Sequence, residues 1–314
     1  MKTLSISLLI FVTIPLSAQS KIAVTHTRGK VYYYAAQQNN PTQIRTGASL
    51  STSGRVQCGS GATVTLLYKG KPTTFSDTKT HYLDDVAKAA GNTSSLNFMG
   101  RFWNFLSGSM EGSEDNQSLE QHNKQTMESL HAGVKGYATA DFVIQAGLMY
   151  EGNLSDKEVV FQWAAPEGAR CCYRLSRQTD DALIMSVWTR GNILHLNMAD
   201  LALEDGGVYE WQIITNSVDP SAPHSRKMQF AYNPGKASKA LAGAGSQPAF
   251  QEASPVEQQL MQAFALEENT FLYDACQLYM KMAADNPDDG LVKRAYAAFL
   301  ARIDRVEEAK ELIK

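Results

Sequence analysis

The sequence predicts a multi-domain, mainly β protein with a helical C-terminal part, and three observations carry that prediction. Short apolar runs separated by glycine-containing turns recur over residues 20–90 and again over 137–233, the spacing of compact all-β domains. The stretches 107–136 and 234–254 are poor in large apolar residues and rich in small and polar ones. From residue 255 onward the apolar period lengthens to that of a helix, and alanines recur 34 residues apart.

The totals set outer bounds. A chain of 314 residues leaves room for two or three domains. Hydrophobic and charged shares of 44% and 19% are ordinary for a folded soluble protein. A formal charge of −3 without a basic cluster gives no general pull toward nucleic acid or anionic lipid.

Residues 1–18 read as a secretory signal peptide. Lys2 supplies the positive start, Leu4 to Leu16 is apolar apart from Ser5, Ser7 and Thr13, and Leu16-Ser17-Ala18 ends in small residues. The apolar run is short of the roughly 20 residues a spanning helix needs. No cysteine follows the expected cut, which argues against a lipid anchor. The expectation is an exported, periplasmic or secreted protein with no transmembrane segment after cleavage. The alternative is an uncleaved N-terminus anchored in the inner membrane.

Residues 20–90 read as a small β-domain. Ile22-Ala23-Val24 and Val31-Tyr32-Tyr33-Tyr34 flank Gly29, and Ala62, Val64, Leu66 and Tyr68 alternate with Thr63, Thr65 and Leu67, the period a strand imposes. Lys69-Gly70 supplies turn chemistry. Residues 91–136 divide into an amphipathic helix and a polar linker. Over 96–106, Leu96, Phe98, Met99, Phe102, Trp103, Phe105 and Leu106 fill one half of a helical wheel. Only Arg101 is basic there, which points to docking on a neighbouring β-domain and away from a membrane surface. Residues 107–136 read as linker, with a weak helix over Leu119 to Leu130.

Residues 137–233 carry six candidate strands: Val159 to Trp163, Cys171 to Leu175, Leu183 to Trp188, Ile193 to Leu196, Val208 to Ile214 and Lys227 to Tyr232. That number at that spacing predicts a β-sandwich, with Trp163 and Trp211 between its sheets. Tyr209, just after Gly206-Gly207, is placed to bond its hydroxyl back to the preceding loop. Residues 234–254, rich in Ala, Gly and Ser, read as a flexible linker. Residues 255–314 read as paired helices. Phe271, Leu272, Ala275, Leu278, Tyr279 and Met282 share one face, and both Ala263 to Ala297 and Ala275 to Ala309 are separations of 34. Fewer than the three repeats needed for independent stability are visible, so this part must lean on the sandwich, a second copy or a partner.

These modules resemble known families. Residues 22–84 are similar to FecR-type periplasmic domains through Gly29-x-Val31, Gly47-x-x-Leu50, the run Val56 to Leu66 and the Lys69-Gly70-Lys71 hairpin. Regulators of that name carry a cytoplasmic segment and a membrane helix ahead of the domain, where this chain has the expected signal peptide. Residues 158–232 resemble fibronectin type III or immunoglobulin-like domains through Trp163 and Gly207-Val208-Tyr209-Glu210-Trp211. Residues 255–314 resemble tetratricopeptide repeats through Ala263, Ala275, Tyr279, Pro287, Ala297 and Ala309. The resemblances imply a modular binding protein.

A search for chemistry names no catalytic, cofactor-binding or metal-ligating residue. His26, His81, His122, His131, His195 and His224 are scattered singly, and no serine sits in a nucleophile elbow. Asp84-Asp85, Asp180-Asp181 and Asp288-Asp289 sit at turns or helix starts, where turn chemistry and the helix dipole account for them. Cys58, Cys171, Cys172 and Cys276 lack metal-site spacing and read as buried free thiols. The expected function is a non-catalytic envelope adaptor or scaffold, with an unidentified protein partner on the helix face carrying Tyr279, Lys293, Arg294 and Tyr296. Competing expectations are an envelope signalling regulator sensing through the FecR-like domain, and an enzyme whose site is assembled across domains.

Overall fold

The structure, a computed structural model, describes residues 21–90, 97–132, 145–165, 167–215 and 224–314. The expected signal peptide, residue 96 of the amphipathic helix and the start of the 137–233 unit lie outside the described residues.

The N-terminal unit places two antiparallel sheets face to face. Its strands are β1 (Lys21–Arg28), β2 (Val31–Tyr34), β3 (Thr42–Ile44), β4 (Ser49–Ser51), β5 (Arg55–Cys58), β6 (Thr63–Tyr68), β7 (Lys71–Phe75) and β8 (Thr80–Tyr82), followed by helix α1 (Leu83–Ala90). One sheet runs β4-β1-β6-β7 and the other β3-β2-β5-β8. Ile22, Val24, Val31, Val56, Val64 and Leu66 alternate inward to fill the space between them. The β6–β7 turn needs two residues at positive φ, which Lys69 (47°) and Gly70 (72°) supply. Leu67 breaks the alternation because this sheet is covered on both faces. It is buried with Ala23 against the next helix.

That helix is α2 (Phe98–Gly112), capped by the Asn97 side chain, which accepts the Gly100 N–H at 2.8 Å. It docks on the β-domain as expected, but it is longer than the sequence suggested. The segment 107–132, expected as mainly linker, completes α2 and forms α3 (Asn116–Ala132). The serines that looked linker-like, Ser107, Ser109 and Ser113, are buried. Small side chains let a neighbouring helix approach closely there, and that packing supplies what helix propensity lacks.

The second β unit consists of β9 (Gln145–Ala146), β10 (Gly152–Leu154), β11 (Glu158–Ala164), β12 (Cys171–Arg177), β13 (Leu183–Thr189), β14 (Ile193–Asn197), β15 (Gly207–Ile214) and β16 (Met228–Tyr232). Sheets β10-β16-β15-β12-β13 and β14-β11-β9 form a sandwich. Its core is aromatic. Trp211 meets Phe161 edge-on at 5.0 Å and stacks with Tyr173 at 5.5 Å between ring centres. Tyr209 behaves as expected: its hydroxyl accepts the Glu204 N–H at 2.8 Å.

The remaining helices are α4 (Pro234–Gly245), α5 (Pro248–Glu252), α6 (Pro255–Glu268), α7 (Leu272–Asp285), α8 (Gly290–Arg302) and α9 (Val306–Leu312). The expected flexible linker over 234–254 is therefore two helices, with Ala237 and Ala244 buried. An Ala- and Gly-rich stretch lacks apolar periodicity, yet alanine is the strongest helix former and its flat face suits close packing. The separation of 34 relates two successive helix pairs, and Ala263, Ala275, Ala297 and Ala309 are all buried where those helices approach.

One apolar core runs through α2, α3, α4 and α6 to α9. The helices from the two supposed linkers thus belong to one central body, and both β units are fastened to it. On the sandwich side, Tyr273 of α7 enters the sandwich core and its hydroxyl accepts the Val160 N–H at 2.9 Å. Asn153 donates to Asn269 O and Thr270 Oγ1, both at 2.8 Å, and its backbone N–H donates to Thr270 O at 2.9 Å. On the other side, Gly47 holds a φ of +87° against the α8 N-terminus. A Cβ there would lie 2.4 Å from the Gly290 carbonyl carbon, so the approach admits only glycine. The expectation of modules joined by tethers gives way to units clamped on a shared helical core.

Candidate functional site

The expected partner face is turned inward. Tyr279 is wholly buried, and its ring stacks on Phe299 at 5.0 Å and on Tyr296 at 5.9 Å. Tyr296 is 9% exposed. Arg294 is bound within the chain: Nη1 donates to Gly47 O at 2.7 Å and to Ser49 Oγ at 3.0 Å, and Nη2 donates to Met110 O. Lys293 is half-buried on α8. The structure brings Tyr279 and Tyr296 together, but as core, and sends Arg294 to fasten the N-terminal unit. A helix face reads the same in sequence whether a partner or the rest of the chain covers it.

The densest group of titratable side chains went unnoticed in the sequence. Glu267, near the end of α6, is buried and faces Arg302 at the end of α8. Arg302 Nε donates to Glu267 Oε2 at 3.0 Å and Nη2 donates to Oε1 at 2.9 Å. The Tyr279 hydroxyl donates to Glu267 Oε1 at 2.9 Å. Arg302 Nη1 also reaches Ser109 Oγ at 3.2 Å and His122 Nε2 at 3.4 Å, while the guanidinium lies over the Phe105 ring at 4.8 Å. Five helices meet at this pair. Burial pushes the Glu267 carboxyl up, and the Arg302 cation with two hydrogen-bond donors pulls it back. The signal was a charge in each apolar run, Leu266-Glu267 and Ala301-Arg302, 35 residues apart and so one residue off the repeat. Glu267 and Tyr279 are enclosed by the bundle, so the arrangement locks helices together and offers no opening for a substrate.

His122 gives this junction a pH dependence. A guanidinium can only donate, so His122 Nε2 accepts and the ring is neutral with its proton on Nδ1. Burial, reinforced by the Arg302 cation, lowers its pKa from 6.5 to about 4. Between those values the unfolded chain binds the proton and the folded chain does not, so stability falls as pH drops from 6.5 toward 4. The shift corresponds to about 3 kcal/mol at full strength, and partial exposure of the ring reduces the expectation to about 1–2 kcal/mol. Urea melts at pH 7.5 and 5.0 check this. His122→Gln should lose less stability than wild type on that step, and equal losses would remove His122 from the account.

The other candidates stay structural. Asp289 caps α8, accepting the Leu291 and Val292 N–H groups at 2.8 and 3.2 Å, and Asp84 and Asp85 lie in the first turn of α1. His195 is exposed on β14. All four cysteines are free and buried, and burial raises the Cys58 and Cys171 thiols and pushes Cys276 up to about 11. Among the described residues no group of three His, Cys, Asp or Glu side chains could hold a metal, and no helix is long and apolar enough to cross a membrane. The depression beside Lys21, Ser107 and Glu111 has a volume of about 10 Å³, room for one water.

The exposed aromatic groups lie on the outer faces of the β units. Tyr82 is 56% exposed on β8, and Trp188 is 39% exposed on edge strand β13 with the Arg170 guanidinium 5.1 Å from its ring centre.

No protein-family model and no curated protein matches the chain, so neither attaches a catalytic activity to it. Among solved structures, a two-domain fibronectin type III segment of chicken tenascin aligns over 69% of this chain and 86% of its own, at 12% identity and a TM-score of 0.19. A β-1,2-glucanase from Parabacteroides distasonis aligns over 93% of this chain and 48% of its own, at 8% identity and a TM-score of 0.22. Similarity at that level transfers neither fold nor activity, and the architecture of this chain rests on its own strands and helices: two β units and a helical body.

Proposed function

We propose that the protein is a non-catalytic binding scaffold of the cell envelope, in which the helical body holds two β units at a set separation and their outer sheet faces do the binding. The observation that carries this reading is the shared use of α2. Phe102, Leu106 and Met110 pack in one core with Ala23 and Leu67 of the N-terminal sheet and with Leu260 and Phe264 of α6. A rigid spacer of this kind suits a protein that presents surfaces. The signal-peptide pattern supports an exported location. The FecR-like and tetratricopeptide-like motifs, and the Tyr209 corner of a fibronectin-like sandwich, all come from families that bind.

The test is photocrosslinking in cells from a reactive residue at position 82 or 188, with position 280, exposed on α7 of the helical body, as comparison. Envelope-fraction products from 82 or 188 are the expected result. Silence at both positions in protein that is correctly exported would overturn the reading. Point positions suit this test better than truncation: stopping the chain after residue 250 removes α6–α9, which cover α2 and contribute Tyr273 to the sandwich core.

A further inference from the structure

We propose that the outer face of sheet β3-β2-β5-β8 binds an uncharged glycan chain. This rests on the reading that the β faces do the binding, and it names the ligand of one of them. Strand register puts two rows of side chains on that face. Gln43, Tyr32 and Gln57 stand side by side across β3, β2 and β5, and Tyr34, Arg55 and Tyr82 stand side by side across β2, β5 and β8. Their in-strand neighbours Val31, Ile44, Val56 and Cys58 point the other way, into the core.

Three features favour a sugar over a protein on this face. Each of the six residues carries a hydrogen-bonding group, and none is aliphatic, whereas a protein interface centres on apolar anchors in desolvated pockets. The sheet gives an open platform, and two strand spacings set Tyr34 and Tyr82 about 10 Å apart, the span of two pyranose rings. The C–H faces of such rings lie against aromatic planes while their hydroxyls take amide and guanidinium partners. The polar groups are also held in place before any ligand arrives. Tyr34 Oη donates to Gln57 Oε1 at 3.3 Å, Gln57 Nε2 donates to Thr78 O at 3.0 Å, and Arg55 Nη2 donates to Asn39 Oδ1 at 3.4 Å with its guanidinium 4.9 Å from the Tyr34 ring centre. The six contain no carboxylate and one cation, which is already stacked, so charge complementarity points to a neutral partner.

Affinity electrophoresis of the full chain in gels containing laminarin, dextran or hydroxyethylcellulose tests soluble chains, and co-sedimentation with microcrystalline cellulose or chitin tests insoluble ones. At least one of these should retain the protein. Tyr34→Ala and Tyr82→Ala should each weaken that retention about tenfold, the scale of one lost aromatic contact, while Met280→Ala, at an exposed position on α7 outside both β units, leaves it unchanged. Thermal melts confirm that each variant is folded, and Tyr82→Phe, which keeps the ring, should retain most of the binding. Failure of all five glycans to retain the protein, or retention that both Tyr→Ala changes leave intact, would overturn the proposal. A crosslink from position 82 to a protein, with no glycan retained, would reject the sugar and keep the scaffold. Silence in both experiments would reject both.

Discussion

Replacing Glu267 with alanine is expected to lower folding stability by about 3 kcal/mol, because it leaves the Arg302 guanidinium, whose side chain is 18% exposed, without its counter-charge. Glu267 also accepts from the Tyr279 hydroxyl, so the substitution strands a second buried donor. The loss is a large fraction of the roughly 5–15 kcal/mol that holds a typical protein folded. Urea unfolding measures it as a lower midpoint at unchanged slope. Replacing both partners, Glu267→Met with Arg302→Met, should cost far less than either single change, since an apolar pair of similar volume leaves no charge unpaired. If the double variant is as unstable as the singles, the energy lies in packing around the pair and the electrostatic account fails.

Phe102→Ala should cost about 3–5 kcal/mol, the range for an aromatic side chain deleted from a closed core. Phe102 is fully buried, with its ring 4.8 Å from Trp103 and 5.9 Å from Phe264. Its consequence should exceed a local cavity. The same cluster contains Ala23 and Leu67 of the N-terminal sheet, so loosening α2 weakens the seat of the whole β unit. Limited proteolysis should cut near residue 97 sooner than in wild type. Met99→Ala, whose side chain is only partly buried, should change the cutting rate little. Equal acceleration in both variants would mean that Phe102 has no special place in coupling the two units.

The β parts were legible because strand patterning is local. A residue such as Val64 or Leu66 announces its side of the sheet through its neighbours, and Tyr209 announces its corner through Gly206-Gly207. The helical body was less legible for two reasons. Ser107, Ser109, Ala237 and Ala244 carry no apolar signal, yet they lie where close approach demands small side chains. The Glu267–Arg302 pair joins positions 35 residues apart on different helices, a relation that no local window contains. The partner face has the same origin: whether a partner or the chain's own helices cover Tyr279 and Tyr296 is a relation that no local window contains.

Chain patterning by itself determined the element types: two β units, a strongly apolar helix over 96–106, and helix pairs 34 residues apart. Those follow from side-chain periodicity and turn chemistry, which act over a few residues. Only tertiary structure decided that the apparent tethers are helices of a central body, that Arg294 fastens one β unit to it and Tyr273 the other, and which aromatic residues remain outside. Burial depends on what arrives from distant parts of the chain, and contacts such as Arg294 to Gly47, 247 residues apart, exist only once the chain has folded.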